Sequence, residues 1–146
     1  MMTVLLFSAC NAGQPNSSIT SQTPAYVPTP TPTPSVVIES KTVDLLLQNK
    51  SGEQGTALLE DIDGKLRVTL TVTGEPKGVS QPAHIHAGLC PTPGAVKYPL
   101  TNVVNGQSVT MIDVTMAELL GMGDLAINIH KSAASANVYV ACGDVR

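Results

Sequence analysis

Short runs of β-branched and apolar residues, separated by Gly, Pro and Asn, fill the chain from Val36 onward. The clearest run, Lys65 to Val72, alternates polar and apolar residues with period two, which is typical of a half-buried strand. The preceding Asp63-Gly64 predicts a tight hairpin. The predicted strands are 42–48, 55–62, 65–72, 83–88, 95–100, 108–114, 125–130 and 137–141. About eight antiparallel strands at this spacing predict an all-β fold, a sandwich or Greek-key barrel.

One segment between two predicted strands has the pattern of a helix instead. Thr115 is followed three residues later by Glu118, which is the spacing of a capping box. In that motif the Thr side chain caps the first helical turn and the Glu side chain bonds back to the Thr backbone. Leu119, Leu120 and Gly121 complete the segment. The sequence therefore predicts one short helix at 115–121.

The first 38 residues contain no charged side chain and form a separate region. Residues 1–9 are mostly apolar and end in Ser8-Ala9 before Cys10, which resembles the lipobox of bacterial lipoproteins, whose cysteine is acylated. Residues 11–35 are rich in Pro, Thr and Ser and predict a disordered, extended linker. We therefore expect a lipoprotein signal at 1–10, a linker at 11–35 and a β domain at 36–146. The alternative is a disordered N-terminus with a free cysteine.

The lipobox resemblance has consequences for location. Acylated Cys10 would anchor the protein in the lipid bilayer of a bacterial cell membrane, with the β domain held outside the cytoplasm. The sequence also argues against a nucleic-acid partner and against a transmembrane helix. Eight Lys and Arg against 11 Asp and Glu give a net charge of −3, which argues against a nucleic-acid partner. The chain contains no run of 18 or more apolar residues, so the sequence predicts no transmembrane helix.

The aromatic content shapes the expected core. The chain has no Trp and its one Phe is Phe7, so the core of the β domain should be aliphatic. Met111, Met116 and Met122 lie near the predicted helix. Thioether sulfur can bind reduced copper, but methionine more often fills gaps in a core. We therefore interpret these three side chains as core fillers.

The chain has three histidines, and two of them form a His-x-His pattern, His84 and His86. On a strand, residues i and i+2 point to the same face about 6.5–7 Å apart, so two imidazoles can converge on one metal. The third, His130, ends the alternating run 126–130, with Asn128 on its face and two isoleucines on the other. Three imidazoles suit copper(II), zinc or nickel, with copper favoured. The alternative is three surface or hydrogen-bonded histidines without a metal.

The two cysteines of the β domain each follow a strand that carries histidine. Cys90 lies four residues after His86, and Cys142 lies 12 residues after His130. A Cys90–Cys142 disulfide would pin the loop after the first of these strands to the last strand. It would be consistent with the oxidising compartment of an exported protein.

These motifs resemble those of the copper-zinc superoxide dismutases. The resemblance covers about residues 43–146 and rests on His-Ile-His at 84–86 with Cys90 downstream, Ile-Asn-Ile-His at 127–130, and Val-Ala-Cys-Gly-Asp-Val at 140–145. It implies the dismutase-like Greek-key fold, copper held by the three histidines, and a disulfide between the two cysteines of the domain.

Two departures from that family change what the resemblance implies. Residues 91–129 contain no histidine, whereas the family places there the histidine that bridges copper to zinc and further zinc ligands. Tyr139 stands where the family has an Arg that guides superoxide to copper. We therefore expect no zinc site of the family type and weak or lost dismutase activity, and we assign no catalytic residue.

The same histidine segments also resemble the CHRD domain, which has an Ala-His-Ile-His-like strand and a later Asn-Ile-His strand. Here these are residues 83–86 and 128–130. Two hypotheses follow. The first is an exported, membrane-tethered copper-binding protein of superoxide dismutase-like fold, with zinc less expected as the metal. The second is a non-catalytic surface module that binds a partner without metal. The oligomeric state is not indicated by either resemblance.

Overall fold

The structure, a computed structural model, describes residues 37–146. The predicted signal at 1–10, its Cys10 and the predicted linker at 11–35 lie outside the described residues. Acylation, membrane anchoring and export therefore stay predictions. Within residues 37–146, no helix is both long and apolar enough to cross a membrane.

Eight strands and one α-helix form the described part of the chain. They are β1 (Val37–Leu47), β2 (Gln54–Ile62), β3 (Lys65–Thr73), β4 (Gln81–Ala87), β5 (Val96–Val103), β6 (Gln107–Ile112), α1 (Met116–Leu120), β7 (Leu125–His130) and β8 (Tyr139–Val145). A short 3₁₀ helix, Ala133–Ser135, lies between β7 and β8. The predicted all-β fold with about eight strands and one short helix is confirmed.

The strands form one sheet in the order β5-β4-β7-β8-β1-β2-β3-β6, with every neighbouring pair antiparallel. The end strands β5 and β6 are joined by the Asn105-Gly106 turn. They also approach through side chains, since Thr101 N donates to Thr110 Oγ1 at 2.8 Å and Ser108 Oγ donates to the Thr101 carbonyl at 2.7 Å. The sheet is therefore curled into a nearly closed barrel. With β5 beside β6, the order β7-β4-β5-β6 is a Greek key.

The inside of the barrel is an aliphatic core built by alternation along each strand. Leu66, Val68, Leu70 and Val72 of β3 are buried, and the residues between them face outward, as the period-two pattern predicts.

Of the three methionines predicted to fill the core, one does so. Met116 is fully buried in the core, but Met111 and Met122 are 47% and 45% exposed. Met111 lies on the outward face of β6, where a side chain cannot reach the core.

Two local predictions are confirmed in detail. Asp63 and Gly64 have φ values of 52° and 77°, the left-handed conformation that a two-residue hairpin between β2 and β3 requires. Thr115 and Glu118 form the complete capping box at the start of α1. The Asp61 carboxylate also accepts a hydrogen bond from Met116 N at 2.7 Å, which ties the helix to β2.

The predicted end of the last strand is wrong. The sequence predicted a strand at 137–141, whereas β8 begins at Tyr139 and continues to Val145. Gly143 lies inside β8, beyond the predicted end of the strand. A Cβ atom there would lie 2.3 Å from the Asp44 carbonyl oxygen and 2.8 Å from Val43 Cγ1. Glycine is needed because the backbones of β1 and β8 pack closely at this point.

Candidate metal centre

The three histidines lie on the outer face of the sheet, on the adjacent strands β4 and β7. His84 pairs with Asn128 and His86 pairs with Ala126, while His130 lies two residues beyond Asn128. The intervening isoleucines, 85, 127 and 129, are all fully buried in the core. The predicted alternation of both strands is therefore confirmed, and the barrel wall separates the histidine cluster from the core.

The three imidazoles converge. Ring centroids are 4.8 Å apart for His84 and His130, 5.4 Å for His84 and His86, and 5.9 Å for His86 and His130. One ligand atom from each ring lies within 4.8 Å of the others, so the cluster could hold a metal ion. In the described part of the chain, this is the one group of three or more His, Cys, Asp or Glu side chains placed in this way.

Backbone carbonyls fix the proton on two of the rings. His86 Nδ1 lies 2.8 Å from the Gly94 carbonyl oxygen, and His130 Nδ1 is hydrogen-bonded to the Ala136 carbonyl. A carbonyl only accepts, so each Nδ1 must carry the hydrogen. The lone pair of a neutral ring is then on Nε2 for both His86 and His130. Metal-binding histidines are commonly oriented by such a hydrogen bond from the opposite ring nitrogen.

The Gly94 carbonyl is held by the loop that follows β4. Gly94 N donates to the Ala87 carbonyl at 2.6 Å, closing the loop onto the end of the strand. Cys90 in this loop forms a disulfide with Cys142 of β8, with Cα atoms 6.0 Å apart. Cys90 N also donates to Asp144 Oδ1 at 2.8 Å. The disulfide and Asp144 therefore fix the loop whose carbonyl orients His86.

A second loop, between β7 and β8, orients His130. Lys131 N donates to the Val138 carbonyl at 2.8 Å, which closes the base of the loop. The 3₁₀ helix Ala133–Ser135 ends at Ala136, whose carbonyl accepts from His130. Both orienting groups are backbone atoms, so no side-chain pattern in the sequence could have identified them.

Burial favours the neutral form of these rings. Burial lowers the pKa of the His84 imidazole below its ordinary value of 6.5, and the nearby His130 and His86 rings lower this pKa further. Burial also lowers the pKa of His130, with the hydrogen bond to Ala136 acting in the opposite direction. Desolvation dominates for both rings. Neutral imidazoles keep the lone pairs that a metal ion needs.

These pKa shifts predict how the stability of the metal-free protein depends on pH. Between the unfolded pKa near 6.5 and the lowered folded values, the unfolded chain binds more protons at His84 and His130 than the folded chain does. Stability is therefore highest above pH 6.5 and falls as the pH is lowered through and below it. Thermal unfolding with a chelator, from about pH 7.5 to 5.5, should show a falling Tm.

A matched variant isolates the histidine contribution to this pH dependence. The double variant His84→Gln/His130→Gln should show a shallower fall in Tm than the wild type over the same range. Equal slopes for the two proteins, or a wild-type Tm that rises as the pH falls, would contradict the assignment.

Unpartnered polar atoms gather at this face of the sheet. Four buried side-chain polar atoms in residues 37–146 have no hydrogen-bond partner, and three of them are His86 Nε2, Asn128 Oδ1 and Asn128 Nδ2. Such atoms are rare in folded proteins and call for a physical explanation. An ion among the imidazoles would give the His86 lone pair a partner, so the donors present fit a metal.

One aromatic residue, Tyr139, lies beside the histidine cluster. The Tyr139 ring lies 5.0 Å from the His130 ring and 6.3 Å from the His86 ring. An irregularity in the pairing of β7 with β8 after Ile129 places Tyr139 opposite His130. Tyr139 also lines an outer groove of about 480 Å³ together with Leu47 and Pro91.

Comparison of the chain with protein-family models, with curated proteins and with solved structures gave no match.

Proposed function

We propose that the protein binds one copper ion through His84, His86 and His130, and that it is an exported, membrane-tethered protein of superoxide dismutase-like fold. The observation that carries the copper site is the pair of Nδ1 hydrogen bonds to the Gly94 and Ala136 carbonyls. They leave Nε2 of His86 and His130 as lone-pair donors. His130 Nε2 lies 2.8 Å from His84 Nδ1, and one ring nitrogen of each histidine lies within 4.8 Å of the others.

The choice of copper rests on the donor type. An all-imidazole set suits copper, zinc and nickel, and divalent copper binds nitrogen sites most tightly among these ions. Nitrogen ligands of a tetrahedral ion stand roughly 3.3 Å apart for bonds of about 2.0 Å. The ligand atoms here lie within 4.8 Å of one another, and His84 Nδ1 lies 2.8 Å from His130 Nε2. Small ring rotations would bring the three donors to the required spacing.

The His84–His130 contact implies that the His84 ring must change its tautomer before Nδ1 can bind a metal. His130 Nε2 carries no hydrogen, because Nδ1 of that ring donates to Ala136. His84 Nδ1 must therefore be the donor in their 2.8 Å hydrogen bond. For His84 Nδ1 to coordinate, its ring must carry the hydrogen on Nε2 instead. The ring is only partly buried, so water can mediate this exchange.

Storage or transfer of copper is favoured over efficient dismutation. Lys131 is the one charged residue between His130 and Cys142, so electrostatic attraction of a small anion to this face is weak. Tyr139 stands beside the cluster, where the dismutase resemblance would place a guiding Arg. Weak superoxide scavenging by bound copper is the most activity that we propose.

Competition between copper and zinc tests the proposal. The full chain carrying Cys10→Ser, which removes a competing thiol, should bind copper(II) more tightly than zinc, by tenfold or more. Each single change, His84→Gln, His86→Gln or His130→Gln, should weaken copper binding at least tenfold. Tyr98→Phe is the control, since its hydroxyl contacts Met122 Sδ and none of the cluster.

If the wild type rejects both copper and zinc, the copper hypothesis fails. The CHRD-like reading, a surface module that binds a partner without metal, would then be favoured. If zinc binds more tightly than copper at the same three histidines, the three-histidine metal site is retained, but its metal is zinc rather than copper.

A charge change at Tyr139 tests the proposed descent from a dismutase. With copper bound, Tyr139→Arg should raise the rate of superoxide dismutation about tenfold, and the gain should shrink as ionic strength rises. Tyr139→Gln removes the ring without adding charge and should show no such gain. A rate for Tyr139→Arg that equals that of Tyr139→Gln counts against this descent.

A further inference from the structure

Asn128 is a fully buried polar residue on the same face of the sheet as the three histidines. Neither Oδ1 nor Nδ2 of its side chain has a hydrogen-bond partner. A copper site made of the three imidazoles alone does not account for this buried amide.

The strand register places Asn128 beneath the point where the rings meet. His84 is directly opposite it on β4, while His86 and His130 lie on either side of that row. His86 pairs with Ala126, which lies four residues from His130 on β7. The backbone positions of His86 and His130 are therefore about 13 Å apart along the strands. Their ring centroids are nevertheless only 5.9 Å apart. Both rings therefore lean toward the row of Asn128 and His84.

The orientation of the rings agrees with this placement. Nδ1 of His86 and Nδ1 of His130 are engaged by the Gly94 and Ala136 carbonyls of the two loops. Their Nε2 atoms, on the other side of each ring, carry the lone pairs, and Nε2 of His130 lies 2.8 Å from His84 Nδ1. The place where an ion would lie is thus above Asn128.

The protein itself offers this amide no partner. The neighbours of Asn128 across the strands are His84 and Cys142, and its neighbours along β7 are Ala126 and His130. Cys142 is oxidised, Ala126 has no polar side chain, and His84 and His130 are hydrogen-bonded to each other. A buried amide with no partner is unfavourable unless something else satisfies it.

We propose that Asn128 Oδ1 is the fourth protein donor of the metal centre, which makes the site a three-nitrogen, one-oxygen set for copper(II). This inference rests on the proposed copper function. An amide oxygen is a hard donor that suits an oxidised ion, and a side-chain amide serves as a weak axial ligand in other copper sites. Asn128 should therefore favour copper(II) over copper(I).

Affinity measurements on three proteins test this donor role: wild type, Asn128→Val and Asn128→Asp, each as the full chain with Cys10→Ser. Asn128→Val should weaken copper(II) binding about tenfold, with a smaller change for copper(I). Asn128→Asp keeps an oxygen at the same position and should bind copper(II) at least as tightly as the wild type. The electron paramagnetic resonance spectrum of bound copper(II) should change in Asn128→Val.

Stability separates a donor role from a purely structural one. Asn128→Val removes two unpartnered polar atoms, so its metal-free Tm should be equal to or above that of the wild type, while its Tm gain on adding copper should be smaller. If Asn128→Val does not fold, Asn128→Ala replaces it. Asn102→Val is the matched control, because Asn102 is exposed and bonded to Ser80.

The inference is overturned if copper(II) affinity in Asn128→Val stays within about threefold of the wild type. It is also overturned if Asn128→Asp loses as much affinity as Asn128→Val, because then the oxygen is not the group that matters. Either result, with wild-type copper binding intact, leaves the three-histidine proposal standing. A wild type that binds no copper removes both proposals together.

Discussion

Removing the disulfide through Cys90→Ala/Cys142→Ala is expected to lower the free energy of unfolding by about 4 kcal/mol. The two cysteines are 52 residues apart, and a cross-link over that distance restricts the unfolded chain by about this amount in the chain-entropy model. Small domains have limited total stability, so this is a large part of it. Urea unfolding of the oxidised wild type and of the variant measures the difference.

The same variant should also weaken copper binding by about tenfold. The disulfide and the Cys90–Asp144 hydrogen bond hold the loop whose Gly94 carbonyl orients His86. Without the cross-link that carbonyl is less well positioned, and the His86 ring loses its fixed tautomer. Cys10→Ser should leave both stability and affinity unchanged. A stability loss below about 1 kcal/mol, with unaltered copper affinity, would show that the disulfide supports neither the fold nor the site.

Truncation of the core behind the site, Ile127→Ala, is expected to lower the free energy of unfolding by about 3 kcal/mol. Ile127 is fully buried inside the barrel, on the strand that carries His130 on its outer face. Removing its side-chain carbons leaves a cavity that the surrounding strands cannot fill completely. Thermal or urea unfolding of the metal-free proteins gives the value.

The copper site should survive this change. The histidines are on the opposite face of the sheet and are oriented by the Gly94 and Ala136 carbonyls, which do not depend on Ile127. The rise in Tm on adding copper should therefore be similar in Ile127→Ala and in the wild type. Thr71→Ala, an exposed position on β3, is the control and should change stability by less than about 0.5 kcal/mol. Loss of copper binding in Ile127→Ala would contradict the separation of core and site.

The elements that depend on local pattern could be predicted from the sequence. Alternation over Lys65 to Val72 predicts β3, the Asp63-Gly64 pair predicts its hairpin, and Thr115 with Glu118 predicts the start of α1. Each of these patterns acts over a few neighbouring residues, so tertiary contacts need not be known. The His84 and His86 pattern is of the same kind.

What depends on contacts between distant residues could not be predicted. The predicted strand 137–141 stops before Gly143, but β8 continues through it, and glycine is required there by the close approach of Asp44 on β1. The carbonyls of Gly94 and Ala136 carry no side-chain signal at all. The alternation of β7 placed Asn128 on the histidine face, yet its lack of partners follows only from the register with His84 and Cys142.

A copper(II) titration of the full chain with Cys10→Ser determines whether the three imidazoles bind one copper ion. The control is the triple variant His84→Ala/His86→Ala/His130→Ala, which leaves the chain without histidine. Metal content after gel filtration and the electron paramagnetic resonance spectrum are the readouts. We expect one copper per wild-type chain, with nitrogen ligands in the spectrum, and none in the variant. No copper in the wild type, or the same amount in both proteins, would contradict it.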